Sequence, residues 1–130
     1  MKIDKIILDI ILISIIIISI DYLWIKNIMS KYYENMFKNE IRLNMISIII
    51  TYLIMVISYI IFVLRNESEL INNKIIISFI FGVTLFGVYG FTLNGILKKY
   101  SLKVALLETI WGGILFTLTY IIYSKLVNIF

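Results

Sequence analysis

The chain has 130 residues, enough for one domain spanning 1–130. Hydrophobic residues make up 62% and charged residues 15%, against a usual apolar share of about 45–50% in soluble domains. A soluble fold this small leaves much of its surface exposed and could not hide so many apolar side chains, so the composition calls for lipid.

The net charge of +4 does not indicate nucleic-acid binding. Lys and Arg are scattered over loops and ends, with no basic stripe interleaved with aromatics. The chain has neither Cys nor His. Disulfides, thiolate metal sites, Cys nucleophiles, and the commonest general base and transition-metal ligand are therefore excluded. No cofactor is expected, and a metal would need an oxygen-only site.

A bilayer core about 30 Å thick needs about 20 helical residues to cross. Four segments reach that length, at about 6–25, 45–64, 75–97 and 104–123. None alternates as a barrel strand would. The expected fold is an all-α integral membrane four-helix bundle.

Lys2 and Lys5 precede the first span in the manner of a secretory signal. Its apolar run is too long for a signal core and no small-x-small cleavage site follows, so it reads as a retained span. Asp9, one turn in, is expected to reach interfacial water and favour the helix N-terminus.

The long loop 26–44 carries Met29, Tyr33, Phe37 and Ile41 at four-residue spacing, with Lys31, Glu34, Lys38 and Glu40 largely off that stripe. It reads as a short amphipathic interfacial helix between spans one and two, or else as a polar loop with some apolar residues. The loop 65–74 reads as a plain turn, and 98–103 as a short basic one. Loops one and three hold seven of the basic residues, and the termini and loop two hold five. This places loops one and three in the cytoplasm and both termini outside.

All six glycines fall in the last two spans. Gly87 and Gly90, with Asn94, share one helix face, and Gly112 and Gly113 lie in span four. Small residues let membrane helices approach closely. Spans three and four are therefore expected to form a tight hairpin with that face against a neighbour.

Three strongly polar residues lie inside the spans: Asp21 near the end of span one, Asn94 near the end of span three, and Glu108 near the start of span four. With an even number of crossings, all three fall at similar depth near one membrane face. Asp21 and Glu108 are each followed three residues later by an indole, Trp24 and Trp111, which puts acid and Trp one turn apart on one face. Tyr89 and Thr92 share a face of span three. The expected polar cluster is Asp21, Tyr89, Thr92, Asn94 and Glu108 with Trp24 and Trp111 at its rim. The alternative is two boundary acids beside ordinary belt tryptophans.

Asp21-Tyr22-Leu23-Trp24, Gly87-Val88-Tyr89 with Thr92, and Leu107-Glu108-Thr109-Ile110-Trp111-Gly112-Gly113 together resemble a family of small membrane proteins of bacteria and large DNA viruses. This is the domain of unknown function 2177. The loop 97–103 between the last two motifs fits its usual length. The family usually has Asp or Asn at Gly90, Asn at Leu93, and Asp at Glu108. The resemblance implies four spans and draws attention to the acid-Trp pairs; it supplies no activity.

Three functions are compatible with these features. The first is association within the membrane, as a homodimer or with an assembly partner, which the small size and the glycine face favour. The second is a small carrier or channel for protons, cations or a lipophilic solute, which the paired acids favour. An enzyme acting on lipids through Asp21 and Glu108 comes third, since no nucleophile is evident.

Overall fold

A computed structural model describes residues 3–67 and 73–129. Its helices are α1 (Ile3–Trp24), which continues through a π-helical segment (Ile25–Met29) into α2 (Ser30–Phe37), then α3 (Met45–Tyr59) with its π-helical end (Ile60–Leu64), α4 (Lys74–Ile96) and α5 (Leu102–Val127). Among the described residues, four helices are long and apolar enough to cross a membrane: Ile3–Phe37, Met45–Leu64, Lys74–Ile96 and Leu102–Val127. Of the loop 65–74, residues 68–72 lie outside the described residues.

Local signals set the helix starts. Asn44 accepts from the Ser47 amide, Asn73 from the amides of Ile75 and Ile76, and Ser101 from the amide of Val104. Each satisfies amides that the first helical turn leaves without partners. At the end of α3, Lys74 Nζ donates to the carbonyls of Val63 and Asn66, as a cation should at a helix C-terminus.

α5 is the centre of the bundle and supplies Leu115, Phe116 and Thr119 to the core, all fully buried. They meet Ile13 and Ile17 of α1 and Val56, Tyr59 and Val63 of the second crossing. Outward, Ile7, Ile11, Ile15 and Ile18 of α1 and Ile46, Ile49, Leu53, Ile54 and Ile57 of α3 are exposed. So continuous an apolar exterior suits hydrocarbon and not water.

The glycines are spent inside the chain. A methyl at Gly82 would overlap the Gly112 carbonyl, and one at Gly112 would strike the Gly82 carbonyl and Phe86. Gly113 sits under Phe79, Gly87 faces Thr109, and Gly90 faces the Ala105 backbone. α4 and α5 thus touch backbone to backbone along their length, the contact that small residues permit in lipid.

The segment expected as an interfacial helix turns out differently. Trp24 and Ser30, which flank the π segment, both keep right-handed helical backbone, so α2 prolongs α1 as one continuous helix. The apolar stripe explains this. Met29 is fully buried with Tyr100, Val104 and Ala105, and Tyr33 and Phe37 pack around them. The stripe therefore finds its partner on the α4–α5 turn, while Ile41 falls beyond the helix and is half exposed. A π turn inserts one residue into the helical register and so re-aims the side chains of α2.

Candidate functional site: a side-opening recess with two buried acids

Asp21 and Glu108 are 7% and 4% exposed, too buried to be boundary residues in contact with water. Tyr52 of α3 donates to Asp21 Oδ2 at 2.6 Å, and the Trp111 indole donates to Asp21 Oδ1 at 2.9 Å. Tyr33 of α2 donates to Glu108 Oε1. The two Trp rings lie parallel, 3° apart in plane with centroids 4.5 Å apart. Span one is thereby tied to span four by an indole pair in which Trp111 also holds the acid of the other helix.

A recess of about 570 Å³ lies in front of these groups. Asp21, Trp24, Tyr33, Tyr89 and Glu108 line its polar end, and Ile48, Thr51, Met55, Leu85 and Phe86 are among its apolar walls. It exists because α3 and α4 meet only towards one face. There Tyr59 hydrogen-bonds Ser78 at 2.8 Å and packs edge-on to Phe81. Towards the other face Thr51 and Met55 of α3 and Leu85 and Phe86 of α4 line the recess from either side. Its size is that of a small-molecule site.

Thr92 and Asn94 are not brought to the recess. Thr92 is exposed, and Asn94 Nδ2 donates to the Tyr100 carbonyl at 2.8 Å, closing the α4–α5 turn. The site residues that sequence reasoning misses are phenols. Tyr52 looks like one more apolar residue of span two, and the spacing of Tyr33 makes it a member of the stripe. Tyr100 is 2% exposed, and its hydroxyl has no hydrogen-bond partner among the described residues. It lies within electrostatic reach of Glu108 and Tyr89; burial first, and then the charge of Glu108, hold its phenol above the ordinary range. The Trp24 indole nitrogen is likewise buried without a partner among the described residues.

The electrostatics of the two ends differ. At the far face Asp9, 2% exposed, is met by Arg65 Nη2 at 2.5 Å and by the Tyr123 hydroxyl at 2.5 Å. It does not reach interfacial water; a cation from the following crossing neutralises it. Around Asp21 and Glu108 these donors are all neutral, and no Lys or Arg among the described residues lines the recess. Lys26 and Lys103 sit instead over the rings of Tyr22 and Tyr32.

An ionised acid at the bilayer centre costs about 2.5–3.5 kcal/mol on insertion scales and less towards a face, and a hydrogen bond to a charged group returns about 1.5–3 kcal/mol. Asp21, with two donors, is therefore better compensated than Glu108, with one. Trp111→Phe should lower the unfolding free energy by about 1–3 kcal/mol, because it strands Asp21 Oδ1 while keeping an aromatic ring against Trp24. Thermal unfolding in lipid nanodiscs would measure this.

A four-crossing helical bundle with a polar recess near one face is a multi-pass integral membrane protein. The chain belongs to the family described as Predicted membrane protein (DUF2177), which matches residues 6–124. A comparison with curated proteins and another with solved structures returned no match.

Proposed function

We propose that this protein binds or carries a lipophilic solute, which enters sideways from the bilayer and presents its polar end to Asp21 and Glu108. The observation behind this reading is the recess itself: an apolar mouth between α3 and α4 that ends on two buried acids. With loops one and three cytoplasmic, as the basic residues favour, the mouth would serve the inner leaflet. Association between chains has less support, since Gly82, Gly87, Gly90, Gly112 and Gly113 all face the α4–α5 contact within the chain.

Trp24 and Trp111 are the chain's two tryptophans; Trp24 lines the recess and Trp111 stacks on it and donates to Asp21, so their emission reports on the site. In nanodiscs, 2-bromododecanol, whose bromine lies beside its hydroxyl, should quench that emission saturably. Thr51→Phe, which narrows the mouth, should weaken binding by roughly tenfold, about the worth of one or two excluded methylenes. Quenching that rises without saturating, equally in both proteins, would count against the recess as a binding site.

A further inference from the structure

We infer that the solute is a single-chain amphiphile with an ammonium head, the charge being held between Glu108 and Asp21. This inference rests on the proposed binding of a lipophilic solute and names its chemical class.

Charge complementarity is the first support. The chain neutralises its other buried acid, Asp9, with Arg65, yet among the described residues it lines the recess with two carboxyls and no cation. A cation supplied by a ligand completes that end as Arg65 completes the other.

The vacant hydrogen-bonding capacity fits an ammonium. Such a head offers up to three donors and needs acceptors. Glu108 takes the Tyr33 hydroxyl on Oε1, leaving Oε2 as an acceptor. Trp24 lines the recess, stacked on Trp111, and an indole face attracts cations. The volume of about 570 Å³ suits one alkyl chain with a compact head better than a two-chain lipid, and the mouth lets the tail run on into the bilayer.

The test compares dodecylamine with dodecanol at neutral pH, each displacing 2-bromododecanol and so restoring the tryptophan emission of the full chain in nanodiscs of uncharged lipid. The amine should bind roughly ten- to a hundredfold tighter than the alcohol, the worth of a charge-assisted bond over a neutral one. Glu108→Gln should erase most of that ratio, lowering the affinity for the amine far more than that for the alcohol. Asp21→Asn, which keeps an acceptor for the Trp111 indole, should reduce it several-fold. Equal affinity for amine and alcohol would overturn the ammonium assignment while leaving the lipophile reading intact. Saturable binding of neither would overturn both.

Discussion

Arg65→Ala should be among the most destabilising single changes in this protein, lowering the unfolding free energy by about 3–5 kcal/mol. It leaves Asp9 almost fully buried with only the Tyr123 hydroxyl to offset its charge. The converse change, Asp9→Ala, should cost less. The Arg65 side chain is 23% exposed, and a long cationic side chain can turn towards the interface when its partner is lost. Adding Asp9→Asn to Arg65→Ala should recover much of the loss, because it removes the stranded charge. Unfolding curves in matched detergent would order the variants. Equal losses for the two single changes would mean that the pair is not buried.

Gly82→Ala should be the next largest disruption. One methyl there meets the backbone of Gly112 and not a side chain that could swing away, so α4 must move off α5. Overpacking costs typically about 1–3 kcal/mol where side chains can yield, and a backbone neighbour puts this case at or above the upper end. Gly95→Ala is the control, since nothing lies within 4 Å of the added carbon. It should be neutral or slightly stabilising, alanine being the better helix former by about 1 kcal/mol. Thermal melts followed through Trp24 and Trp111 would separate the two. A Gly82→Ala protein as stable as the parent would mean that the hairpin is not packed backbone to backbone.

The crossings are legible in the sequence because apolar length alone marks them. The spans expected at about 45–64 and 75–97 match helices at Met45–Leu64 and Lys74–Ile96 within a residue. The level placement of Asp21 and Glu108 comes from counting crossings. The same count could have found Asp9 and Arg65, since the start of span one and the end of span two share a face, with Tyr123 beside them. Contact with water hides that pair, because a lone acid one turn into a helix has an adequate local explanation there. Tyr33 and Tyr52 are illegible for another reason. A phenol in an apolar run is indistinguishable by composition from a lipid-facing aromatic until the bundle shows which helix it faces. The stripe from Met29 to Phe37 is visible in the spacing, but no sequence pattern tells whether its partner is lipid or the turn between α4 and α5.

Above all, the acid-bearing ends of α1 and α5 must lie side by side. The chain has no cysteine, so Trp24→Cys with Trp111→Cys can be tested in membranes with a short bifunctional thiol reagent, leaving both acids in place. The expected result is an efficient cross-link within one chain, and none for a control pairing Trp24→Cys with Tyr123→Cys at the opposite face. Links only between chains, or an equal yield from the control, would separate the two ends and remove the recess they form.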